Sequence, residues 1–177
     1  MPLAQPAASV RLDRLELRVL RIPLIAPFTT SFGTMIDREV IVVRARTDAG
    51  DGWGEIVTQS APVYSSEYTQ GAWDVATRWL GPALLHRREL APEQVAPTLD
   101  PFVGHRMAKA GLELAVLDAA LRSEGRSFAS YLGATAATIP SGVSVGIQSD
   151  PAALVETVRG YLDEGYVRIK IKIKPGR

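Results

Sequence analysis

Three lysines, Lys170, Lys172 and Lys174, alternate with Ile169, Ile171 and Ile173 near the end of the sequence. Period-two alternation marks a strand, and it sorts the ammonium groups to one face and the isoleucines to the other. Neighbouring lysines on such a face stand about 7 Å apart. Their mutual repulsion and any desolvation both lower a lysine's pKa. A lysine drawn toward neutrality is able to take a proton from carbon and return it. Two readings stay open on this pattern alone. In one, the isoleucines meet covering helices and the lysines point into a closed barrel, whose interior ordinarily holds Val, Ile and Leu. In the other, the lysines guard an edge strand against pairing with other chains.

The elements around this strand sharpen the choice. Ile139 to Ile147 is an apolar, β-branched run, and Asp150-Pro151 reads as a helix cap followed by proline at the first helical position. The helix runs to Glu164, Gly165 stops it, and the lysine strand follows. Strand, helix and strand form a βαβ unit, with parallel strands expected. Upstream the pattern differs. Residues 1–10 are Pro/Ala-rich and expected to be disordered. Arg11 to Leu24 reads as a strand, and PFTTSFGTMID after it as a loop carrying Phe28 and Phe32. Glu39 to Thr47 and Gly52 to Val57 complete a three-stranded antiparallel meander around the turn Asp48 to Gly52. A second loop around Gln59 and Tyr64 leads to a helix capped at Ser65 or Ser66, with Glu67 in its first turn. Pro82 stops or bends that helix, and a weaker one spans Ala91 to Leu99. The strongest helix is His105 to Ser123, with Met107, Ala110, Leu114, Leu117 and Leu121 expected to face the core.

Composition narrows the function classes. The 177 residues carry a net charge of +1, which argues against a nucleic-acid or polybasic membrane surface. No cysteine is present, so disulfides, thiolate metal sites and a cysteine nucleophile are excluded. Two histidines, His86 and His105, are too few for a histidine-rich metal site. No apolar run reaches the roughly 20 residues of a membrane span, and no signal peptide is visible, so a cytoplasmic location is expected.

The string GYVRIKIKIKPG, Gly165 to Gly176, resembles the Lys-x-Lys strand of the enolase superfamily. It is most similar to the branch holding o-succinylbenzoate synthase and N-succinylamino acid racemase. PFTTSFGT (27–34), GWGE (52–55), PVYSSEY (62–68), GHRMAKAGLELAVLDAALR (104–122) and GVSVGI (142–147) match that branch in order. The resemblance covers nearly the whole chain after residue 10. It implies an α+β capping domain, placed at residues 11–135. Residues 136–177 then hold the first βαβ unit of a (β/α) TIM-type barrel. It implies that Lys172 is the acid/base at a substrate α-carbon and that Lys170 tunes it or contacts the carboxylate. Ser144 matches a pocket-lining position. Phe28 and Phe32 match one specificity loop and Tyr64 the other; Gln59 also falls on that second loop, at a place that is apolar in many similar sequences.

The same resemblance implies a small-molecule carboxylate substrate, homo-oligomers and Mg²⁺ stabilising an enediolate. The metal's carboxylate ligands and a second, opposite-face lysine belong to later barrel strands, so no metal ligand is placed in this chain. A closed barrel takes eight strands and about 250 residues. The expectation is therefore the front half of an enzyme, inactive as this polypeptide alone. The implied reaction is Mg²⁺-dependent dehydration to o-succinylbenzoate in menaquinone synthesis, with N-succinylamino acid racemisation as the alternative. A non-catalytic capping module is the third reading.

Overall fold

A computed structural model describes residues 5–87 and 89–175. They form two compact units, residues 1–22 with 39–135 and residues 23–38 with 136–177. Two long strands, β1 (Leu12–Thr30) and β2 (Gly33–Thr47), contribute to both units. Residues 23–38 thus group with the end of the chain, which a linear division of the sequence does not express. The segment expected to be a loop after Leu24 is instead the far end of this β-ribbon. Strand pairing continues to Thr30 because Thr29 and Thr34 join their hydroxyls at 3.0 Å and the Thr30 hydroxyl donates to the Gly33 carbonyl.

In the first unit, β1, β2 and β3 (Gly50–Ile56) form a sheet in that order, with β2 and β3 antiparallel and Arg44 opposite Trp53. Ile41, Val43, Ala45 and Ile56 are fully buried on one face. Against it lies α4 (Arg106–Ser123). The helix approaches closely because two glycines of β3 and one of its own leave space. A Cβ on Gly52 would stand 2.1 Å from the Ala115 carbonyl oxygen, and one on Gly54 would stand 2.0 Å from that of Gly111. This contact selects small residues of α4: Gly111, Ala115 and Ala119 lie against the two glycines of β3 and are buried. The expected stripe of larger residues is corrected accordingly. Leu117 and Leu121 are buried, but Leu114 is 43% exposed. Large side chains cannot lie where two backbones nearly touch.

The other helices complete this core. The helix after the second loop begins at Thr69, not at Ser65 or Ser66. It runs as α1 (Thr69–Val75), a π-helical turn over Ala76–Leu80 and α2 (Gly81–Leu85). Pro82 therefore does not stop it; the wider π turn comes just before the proline, whose ring disfavours ordinary α-helical bonding. Glu67 lies outside that helix and serves another one. Its carboxylate accepts the N–H groups of Met107 and Ala108 at 3.0 and 3.2 Å. It thereby caps α4, whose own N-cap residue, His105, is left-handed (φ 52°) and makes no side-chain cap. Helix α3 (Pro92–Leu99) lies close to expectation, and a short α5 (Phe128–Tyr131), capped by Ser127, follows α4.

Disorder over residues 1–10 does not describe residues 5–10. Ala7 and Val10 are buried, Val10 pairs with Leu90, and the Ala7 N–H donates to Glu93 at 3.1 Å. Residues 1–4 lie outside the described residues.

In the second unit, β4 (Val143–Val145) and β5 (Ile169–Ile171) are parallel, joined through α6 (Pro151–Asp163). Asp150 caps α6 by accepting the Ala153 N–H at 2.9 Å. Its pKa is lowered by that bond and by the Ser149 hydroxyl. Val145 is buried and α6 packs on its strand. The isoleucines expected beneath covering helices are largely open: Ile171 is 45% exposed and Ile173 79%. One helix does not cover both strands.

Candidate functional site

Residues from three segments meet on the lysine face of the second unit. Ser144 stands opposite Lys170 across the parallel pair, so their side chains share a face. Lys172 and Gly146 each follow by two residues and extend that face. The backbone N–H of Lys172 donates to the Val145 carbonyl at 3.1 Å, continuing the pairing past β5.

The ribbon end supplies the third segment. The Phe28 ring lies over the Lys172 ammonium, 4.8 Å from nitrogen to ring centroid. That is within the range at which a cation is held by an aromatic face. Beside it, the Ile147 N–H donates to the Thr29 carbonyl at 3.0 Å. Phe28, Ser144, Lys170 and Lys172 are therefore brought into one neighbourhood. Phe32 sits at the hairpin turn and is 43% exposed.

Gln59 and Tyr64 belong to the first unit. The Gln59 carbonyl accepts the backbone N–H of Thr69 at 2.9 Å and its hydroxyl at 3.2 Å, which fastens the loop to the start of α1. Tyr64 is 69% exposed at the loop's crest. Within this unit, a groove of about 680 Å³ is lined by Val42, Trp53, Leu114, Leu121 and Phe128. On its wall, Asp118 accepts the Trp53 N–H at 2.9 Å and pairs with Arg122 at 2.7 Å.

Sequence reasoning missed Gly146 and Thr29. A glycine two residues after Ser144, on the same strand face, is the signal that points to the first. Among the described residues, no three Asp, Glu, His or Cys side chains gather closely enough to hold a metal ion. The residues present do not fit a Mg²⁺ shell, and no chemical step is assigned to a metal.

The family model for the mandelate racemase / muconate lactonizing enzyme N-terminal domain matches residues 14–133. The chain belongs to this family. Within the mandelate racemase / muconate lactonizing enzyme family it falls in the o-succinylbenzoate synthase and N-succinylamino acid racemase branch. It is 54% identical to an N-succinylamino acid racemase of Amycolatopsis, over 94% of this chain and 45% of that protein. It is 36% identical to the o-succinylbenzoate synthase of Listeria innocua, over 88% of this chain and 42% of that one. The crystal structure of an enolase-superfamily member from Listeria innocua superposes with a TM-score of 0.88 at 34% identity, over 95% of this chain and 46% of the other. The chain thus spans less than half the length of these relatives. The sheet-and-helix unit is the family's capping domain, and β4-α6-β5 is the opening βαβ unit of its barrel.

Proposed function

We propose that this chain supplies the capping domain and the proton-transfer lysine of an enolase-superfamily enzyme acting at the α-carbon of a small carboxylate. The observation that carries the reading is the Phe28 ring over Lys172 on a strand face shared with Lys170 and Ser144. Lys172, as the neutral amine, accepts the α-hydrogen as a proton and returns it or passes it on. Lys170, two residues away on the same face, offers a cation to the substrate carboxylate. Ser144 offers a hydroxyl opposite it. Phe28 excludes water from the proton-transfer path and gives the substrate an apolar surface. Gln59, Tyr64 and Phe32 contribute to specificity through the capping loops. Mg²⁺, if the complete enzyme uses it, takes its carboxylates from outside the described residues.

Dehydration of the o-succinylbenzoate type is the first reading. Racemisation of an N-succinylamino acid is the second, favoured by the 54% identity to a protein of that name. Both begin with the same proton abstraction. The test is a chimera in which this chain replaces the matching portion of the Amycolatopsis racemase. Each substrate type is assayed for turnover and for α-deuterium incorporation in D₂O. Active chimera is expected, with Lys172→Gln lowering both readouts by about 10² to 10⁴, the usual weight of general acid–base catalysis. Deuterium incorporation undiminished in Lys172→Gln from both enantiomers of the N-succinylamino acid would rule out the assigned role, since a lysine on the opposite face exchanges only one of them. The ratio of the two turnovers separates synthase from racemase.

A further inference from the structure

Gly146 follows β4 and shares the face of Ser144 and the lysines. Its backbone is not left-handed, so conformation does not demand glycine there. Space does. A Cβ at this position would stand 3.2 Å from the Thr29 carbonyl oxygen, 3.3 Å from the Thr29 nitrogen and 3.5 Å from Cδ2 of Phe28. The next residue, Ile147, donates its N–H to that same Thr29 carbonyl at 3.0 Å. Phe28, one residue before Thr29, covers Lys172.

The geometry points to Gly146 as a positioning residue that seats the β1–β2 ribbon end on β4 and so holds the Phe28 ring against the Lys172 ammonium. The inference deepens the proposed function, because it rests on Lys172 being the proton-transfer group. A lysine side chain is long and free to change rotamer. The ring restricts it only while the ring itself is held. The bond from Ile147 fixes the height of the Thr29 backbone, since a hydrogen bond of this kind weakens steeply when stretched or tilted. A branched side chain at position 146 lifts Thr29, breaks that bond and carries Phe28 away from the amine. Gly146 touches no reacting atom in this scheme and acts through Phe28.

The test uses the full chain and needs no turnover. The sequence has four lysines, Lys109, Lys170, Lys172 and Lys174. Reductive ¹³C-methylation therefore gives a small NMR spectrum, assigned by single Lys→Arg changes. The Lys172 methyl signal is expected upfield of those of Lys170 and Lys174, displaced by the ring current of Phe28. Phe28→Leu removes the displacement and Phe28→Tyr keeps it. Gly146→Val removes it and speeds hydrogen exchange at the Ile147 amide roughly two- to tenfold, the range that one net hydrogen bond gives. Gly146→Ala, the milder intrusion, reduces the displacement and carries the test if the valine variant does not fold. The Lys109 signal, in α4 of the other unit, reports that the first unit is retained, and protection of the Ala153 amide, held by Asp150, reports that the second is. A native Lys172 signal level with its neighbours would overturn the inference. So would a displacement unchanged in Phe28→Leu or in both Gly146 variants. An inactive chimera with a displaced Lys172 signal would sink the acid–base reading alone. An active chimera without the displacement would sink the seating of the ring alone.

Discussion

Gly54 and Glu93 show how much single residues decide. The space that Gly54 leaves is filled by helix backbone, which cannot move aside as a side-chain tip can. Gly54→Ala is expected to cost at least the 1–3 kcal/mol typical of overpacking, read as a lower urea midpoint with an unchanged slope. The GWGE string thus contributes clearance at its two glycines. Glu93 shows the electrostatic counterpart. Burial pushes its pKa up, but its own backbone N–H, that of Ala7, the Tyr131 hydroxyl and the charge of Arg126 outweigh burial and hold it below the ordinary carboxylate value. A carboxylate depressed on folding adds stability that is present above its unfolded pKa and lost as pH falls through the folded one. The stability difference between the native chain and Glu93→Gln should therefore shrink as pH falls from about 6 toward about 3. Thermal melts at stepped pH check this, and a difference that widens in acid contradicts it.

At the scale of elements, Glu67 does work that its sequence position conceals. It stands two residues before α1 yet neutralises the free N–H groups of α4, forty residues on. Anionic groups are stabilising at a helix start, and α4 has no side-chain cap of its own. Glu67→Gln is expected to destabilise the chain by about 0.5–2 kcal/mol, the range of a lost cap. The urea midpoint measures it, and Glu67→Asp, too short to reach, should resemble the glutamine variant. The sequence shows α3, α4, α6 and their ends well, because proline, Asp150 and glycine act locally. It does not show which face of α4 is buried, because hydrophobic periodicity favours Leu114 while glycine clearance in a distant strand decides. Motif resemblance singles out Lys170, Lys172, Ser144 and Phe28, which the fold brings into one neighbourhood. It does not show that Phe28 lies on Lys172, since that contact depends on where a ribbon end lands.

At the scale of the whole molecule, the two units differ in how much they bury. The first holds almost the entire core, whereas among the described residues Val145 is the one buried apolar residue of the second and α6 buries none of its side chains. Regions with few buried contacts open at low free energy. Amides of α6 should exchange at least about tenfold faster than those in the middle of α4, each tenfold being about 1.4 kcal/mol of opening free energy. Hydrogen–deuterium exchange by mass spectrometry reads this directly, and equal protection in both helices contradicts it. No helix among the described residues is long and apolar enough to cross a membrane.

The ribbon shared by β1 and β2 has a consequence for anyone who would cut the gene. A single break near residue 135 excises a contiguous piece, but not a self-contained one. That piece takes residues 23–38 with it, and those residues group with the part left behind. Neither product would be whole: one carries an orphaned hairpin, and the other loses Phe28 and the Thr29 carbonyl that its glycine is shaped to receive. Dissection of this molecule follows the ribbon, not the order of the codons.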